Sequence, residues 1–299
     1  MLDVRHGLGT QHVLTNSRGR IAVKFEVDGT LTDASGNVTV TVVDEDGTTL
    51  IDSQTATNDS TGIYYYDLGT SHTSRVRRLT VTWSGTWESV AQSKVLIYEV
   101  VGNFVFTEDQ ARKFDDSALS SVTVYTDELI ADERVRITDL LFDWTSLSWI
   151  PRYYKAKLKG EYSPEILLPH RLVNNLISVT IDGTSVATNK FELDSEVGVL
   201  YYKEGYFTNP TQTYPLNVVV EYEHGYEGLV DGVDRIALKM LRLRLPSSNI
   251  PENTRSFTDS LGTADFIVEG TGPFGIFNRT RSPEVNAWLE QHSSSIIGW

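Results

Sequence analysis

The 299-residue chain has no cysteine, which excludes disulfide staples and thiolate metal sites. That fits assembly in a reducing compartment. All nine prolines fall after position 150, so the two halves differ in character. No run approaches the roughly 18 apolar residues of a membrane-spanning helix. The opening MLDVRHGLGTQH lacks the apolar stretch of a secretion signal, so the expectation is a soluble, unexported chain. Positive charge is scarce: 26 Lys and Arg against 40 Asp and Glu give a net charge of −14. Residues 103–231 hold 11 basic and 21 acidic side chains. Sequence-specific nucleic-acid binding needs a basic footprint, and this chain does not offer one.

What is present is length enough for two domains, each with its own core. From Ile21 to Val101 the pattern is short alternating strands broken by turns. Val38, Val40 and Val42 fall on one face and Thr39 and Thr41 on the other, with Asp46-Gly47 as a hairpin turn. Leu79, Val81 and Trp83 alternate with Thr80, Thr82 and Ser84. Strands at this spacing predict a β-sandwich. Gly62-Ile63-Tyr64-Tyr65-Tyr66 resembles the tyrosine-corner stretch of immunoglobulin-like domains, with Tyr66 where antibody domains carry a cysteine.

Near Phe104 the period changes. Thr107 and Gln110 make a capping box, with Phe106 and Ala111 as its staple. A longer helix is predicted from Thr126, carrying Ile137, Leu140, Leu141 and Trp144 at helical spacing and stopped by Pro151. Alternating strands follow: Ile177, Val179 and Ile181 lead into the turn Asp182-Gly183, then FELDSEVGVLYY and PLNVVVEYEH. A helix from about Val230 has Val233, Ile236, Ala237, Met240 and Leu241 on one stripe. Residues 246–281 read as loop. Ser282-Pro283 opens a closing helix with Val285, Trp288 and Leu289.

The densest cluster of chemistry-bearing residues is Glu221-Tyr222-Glu223-His224-Gly225-Tyr226-Glu227. In a strand, Glu221 and Glu223 share one face with Val219, while Tyr222 and His224 share the other with Val218 and Val220. The carboxylates and the imidazole therefore diverge, and the heptad reads as a strand end with a solvated face. Gly270 to Gly275 matches G-x-G-x-x-G, but Pro273 removes an amide and no helix follows directly, so it does not make a dinucleotide loop. Neither a P-loop nor a nucleophile elbow is present. The reading is of a protein that is not an enzyme and takes no cofactor or metal.

The segment from Phe106 to Leu245 resembles the head–tail connector adaptors of tailed bacteriophages. FTEDQARKF, TDELIADERVRITDLLFDW, LPHRLVNNLISVTIDGT, FELDSEVGVLYYKEG and VVVEYEHGYEGLVDGVDRIALKMLRLRL follow that family's order. SPEVNAWLEQH is similar to its closing helix, and VTVTVVDEDGTTL to LTVTWSGTW resembles the immunoglobulin-like domain that some of its members carry in front. The resemblance implies a multidomain all-β plus α+β fold. An immunoglobulin-like β-sandwich (1–101) would precede a helical adaptor domain (102–246) with a small β insertion (about 158–225), then an extended arm and C-terminal helix (247–299). It further implies a virion protein at the neck of the portal vertex, assembled in the host cytoplasm. Its partners would be the portal protein, the next neck or tail-completion protein, and copies of itself in a ring, commonly of twelve. Genomic DNA would cross the lumen without sequence-specific binding, and no membrane is involved. The interface candidates are Phe274 and Phe277 in the arm and Val285, Trp288 and Leu289 on the closing helix. That helix docks on a neighbour or the portal, or folds back on its own subunit. The alternative is a surface-exposed glycan-binding module that uses the Trp83/Trp87 region.

Overall fold

The computed structural model describes residues 11–211, 213, 215–245, 256–259, 262–265, 280 and 282–293. It separates into two compact units. One combines residues up to 104 with 150–228, and the other combines 105–149 with 229–299.

The first unit opens with β1 (Gln11–Leu14), β2 (Arg20–Lys24), β3 (Glu26–Val27), β4 (Thr30–Leu31), β5 (Thr39–Val43) and β6 (Thr49–Thr55). Then come β7 (Thr57–Ser60), β8 (Ile63–Asp67), β9 (Arg77–Trp87) and β10 (Val90–Val101). One sheet runs β1-β10-β9-β5-β6 and a second runs β2-β8-β7. β1 is parallel to β10, while the other pairs are antiparallel. Alternation places Val40, Val42, Leu79, Val81 and Trp83 of the first sheet in one core with Ile21, Val23 and Tyr64 of the second. Aromatic hydroxyls and an indole pin this core to nearby backbone. Tyr98 bridges both the amide (3.1 Å) and the carbonyl (2.9 Å) of Ala22. Tyr64 accepts from the Ala34 amide at 2.9 Å, and the Trp87 indole donates to Thr32 at 3.0 Å. These three polar tips are satisfied where their rings are buried. Gly62 sits at φ +70°, and a Cβ there would lie 2.7 Å from both Phe25 O and Thr32 N.

The remainder of this unit contains β11 (Arg152–Leu158), β12 (Glu165–Leu167), β13 (Val173–Ile181), β14 (Thr184–Val186), β15 (Phe191–Asp194), β16 (Val199–Tyr202) and β17 (Val218–His224). They form the sheets β11-β17-β13-β14 and β12-β16-β15. Both sheets contribute to one core, including Val179, Val218, Val220 and Tyr222 with Phe191, Leu200 and Phe207. Asp182 and Gly183 both have positive φ, 51° and 76°, as a two-residue turn of the primed type requires.

The second unit holds α1 (Glu108–Ser117), α2 (Asp127–Thr145), α3 (Val233–Arg244), β18 (Ser256–Asp259), β19 (Gly262–Asp265) and α4 (Pro283–His292). The predicted capping box is present, with the Gln110 amide donating to Thr107 and Thr107 N donating to the Gln110 side chain. α1 nevertheless breaks at Phe114, Asp115 and Asp116, which leave helical geometry.

This architecture corrects the expected fold class. Among the described residues strand predominates, at 39% against 22% helix, and they contain no large helical connector domain. The described residues contain only four α-helices, the longest of 19 residues. The reason lies in the residue pattern between α2 and α3. Alternating Val, Ile, Leu and Tyr fill seven strands with a core of their own, more than a small insertion on a helical body. The 246–281 stretch, read as loop, contains the antiparallel pair β18–β19, in register Ser256↔Asp265.

Candidate functional site

The densest polar chemistry of the first unit gathers at β17. Its register pairs His224 with Arg152, Glu223 with Tyr153, Tyr222 with Tyr154 and Glu221 with Lys155. Residues paired directly opposite share a face, so alternation sorts the strand end into an imidazole–aromatic face and an ionic face.

On the first face, His170 from the loop before β13 stacks on His224, with ring centroids 3.9 Å apart and an interplanar angle of 16°. The Tyr222 hydroxyl lies 2.9 Å from His170 Nδ1. Tyr154 meets His170 edge-on at 4.3 Å. Arg152 grips the buried Glu99 of β10 through both carboxylate oxygens, with its shortest contact 2.7 Å. His12 Nε2 lies 3.7 Å from the same carboxylate. Burial, reinforced by the Arg152 charge, pushes the His170 pKa down to about 4. Burial, then His170 and Arg152, push His224 down to about 2. Both imidazoles are therefore neutral at pH 7. Burial also raises the Tyr222 phenol above its ordinary value.

On the second face, Lys155 Nζ bridges Glu221 at 2.6 Å and Asp46 at 3.1 Å. Burial pulls Lys155 down, but its bonds to Glu221 and Asp46 outweigh that and its pKa is raised. Tyr153 is driven up by burial and then by Glu221. Arg75 reaches Glu45 at 2.7 Å. Burial raises both Glu45 and Glu223. Asp44 accepts from the amides of Asp46 and Thr48, fixing the turn that presents these acids.

The divergence of Tyr222 and His224 from the two glutamates is present as read from the sequence. The solvated face is not: Glu221 is buried against Lys155. The sequence reading missed His170, 54 positions away from its stacking partner. No local sequence signal points to it: the strand register pairs Val173 with His224 and so brings the preceding loop alongside. Stacked neutral rings do not converge lone pairs on one point. Among the described residues no group of three His, Asp or Glu could hold a metal ion. As arranged, the site locks a strand end.

Of the interface candidates, Val285 and Leu289 are buried in the second unit. Trp288 lies against Trp149, centroids 4.9 Å apart, and stacks on His292 at 4.2 Å. Helix α4 is thus folded onto its own chain. Phe274 and Phe277, and the Gly270–Gly275 motif, lie outside the described residues. Trp83 and Trp87 are core side chains, so the aromatic face invoked for glycan binding is not at the surface. No protein-family model matches the chain, and a search of curated proteins finds no relative.

Proposed function

We propose that the chain is a structural protein of a tailed-phage virion, an adaptor that assembles as a ring beneath the portal and joins capsid to tail. One observation carries this reading. The helices before and after the β module, 105–149 and 229–299, belong to one compact unit although residues 150–228 intervene. The Arg242 guanidinium meets Asp115 at 2.8 Å, Arg244 pairs with Glu133, and Lys239 pairs with Glu284. Helix pair, β module ending in Tyr-x-His-Gly-Tyr, helix and closing helix is the order on which the adaptor resemblance rests.

Charge supports the same reading. A net −14 chain lining a channel repels the DNA backbone, whereas basic walls would hold phosphates through counterion release. The partners are then the portal, the next neck protein and further copies of the chain. Genomic DNA passes without sequence-specific contact.

The test is electron microscopy of the purified chain, alone and co-expressed with the portal protein of the same genome. Rings stacked coaxially on the portal are expected. A chain that stays monomeric and never co-purifies with the portal would overturn the reading.

A further inference from the structure

Among the described residues, the outer face of the three-stranded sheet β12-β16-β15 is left uncovered. Ile166, Leu200, Phe191 and Leu193 point into the β-module core, so alternation turns their neighbours outward. The outward positions are Glu165 and Leu167 on β12, Val199 and Tyr201 on β16, and Glu192 and Asp194 on β15. Three are carboxylates, three are apolar or aromatic, and none is a cation. Tyr201 is directly opposite Glu165 on one side and Glu192 on the other. Among the described residues, Glu165, Glu192 and Asp194 make no ion pair.

Beyond β12 the bridge Ser163↔Phe207 continues its line. Phe207 is buried in the core, so the adjacent Tyr206 turns outward and stacks on Tyr162, centroids 5.1 Å apart at 7°. Both rings are exposed, Tyr162 at 66% and Tyr206 at 52%, and Leu167 is exposed at 65%. Tyr162 also has φ +51°, an uncommon and costly backbone state for a bulky residue, of the kind that collects at binding sites.

We propose that this sheet face is the docking site for a protein partner that presents arginine. The partner's guanidinium groups would stack on Tyr201 and the Tyr162/Tyr206 pair and bridge to Glu165, Glu192 and Asp194. Arginine suits both halves of the surface, since its planar fork pairs with carboxylates and its face stacks on aromatic rings. The same charges disfavour the competing occupants. A second copy docked by this face would set carboxylates against carboxylates, and nucleic-acid phosphates or an anionic membrane would be repelled. The inference does not depend on the adaptor reading, because it concerns only this sheet.

The probe is tri-arginine amide, titrated into the full chain carrying isotope-labelled tyrosine and followed by ring NMR signals. Saturable shifts at Tyr162, Tyr201 and Tyr206 are expected, weakened by salt. They should be at least tenfold weaker for the Glu165→Gln/Glu192→Gln/Asp194→Asn variant, with its melting temperature unchanged. Tri-lysine should bind more weakly and tri-glutamate not at all. The proposal is overturned by no shifts at millimolar peptide, by shifts equal in the variant, or by equal response to tri-glutamate. Self-association in sedimentation that the triple variant abolishes would also overturn it, by making a second copy the occupant.

Discussion

The Tyr222 hydroxyl and His170 Nδ1 lie 2.9 Å apart, joining the central strand of one sheet to the loop that carries the stacked imidazole. The bond fixes the ring beneath Tyr154 and against His224. Tyr222→Phe keeps the ring packing and deletes only the hydrogen bond. A loss of about 0.5–1.5 kcal/mol is expected, read as a shift in urea midpoint at constant slope. A neutral result would mean that this bond adds nothing to the stability of the strand end.

Acid should destabilise the first unit through these two histidines. Their folded pKa values, about 4 and about 2, lie below the ordinary 6.5. Between those limits the unfolded chain binds protons that the folded chain refuses, so stability present above pH 6.5 is lost as pH falls. Glu45 and Glu223 act in the opposite sense. Burial raises them above the ordinary 4.5, so their contribution is present at low pH and lost as pH rises through their folded values. The melting temperature should fall between pH 6.5 and 4.5, and His224→Phe should flatten that slope. An unchanged slope in the variant would place the acid sensitivity elsewhere.

Gly198 holds the loop that carries His170. Its φ is +82°, and a Cβ at this position would collide with the His170 carbonyl oxygen. Gly198→Ala is therefore expected to cost more than about 1 kcal/mol, since a positive φ alone penalises alanine and the overlap adds to it. NMR should also show the His170–His224 ring contact disturbed. Gly228→Ala is the control, because a Cβ there meets nothing within 4 Å. Equal melting curves for the two variants would contradict this account.

Much of the local structure is legible in the chain itself. Val38, Val40 and Val42 alternate as strand residues should, Asp182-Gly183 makes its primed turn, and Thr107 and Thr126 cap the helices they precede. What the pattern does not carry is pairing at a distance. Nothing local to His224 announces His170, and nothing local to Glu221 announces that Lys155, itself bonded to Asp46, will pair with it. The balance of fold class failed for a related reason. Each short strand between α2 and α3 is weak alone, and only their mutual pairing makes a second β core. The carboxylates of the β12-β16-β15 face are visible individually, but their common side follows only from knowing which neighbours point inward.

Helix α4 offers the last test. Ten residues are too few for an isolated helix to be stable in water, so α4 depends on what it packs against. Ser282 caps it by accepting from the Val285 amide at 3.3 Å. Val285 and Leu289 are buried, and Trp288 is half-buried against Trp149. Leu289→Ala should therefore cost about 2–5 kcal/mol, the range for a buried leucine truncated in a core. Trp288→Ala should cost less than full burial of a tryptophan would imply, because part of its ring faces solvent. Both losses should be the same at low and high protein concentration, since a contact within one chain has no mass-action term. Calorimetry across a hundredfold dilution reads this directly. A melting temperature that rises with concentration, and a Leu289→Ala effect that appears only at the concentrated end, would move α4 onto a neighbouring subunit.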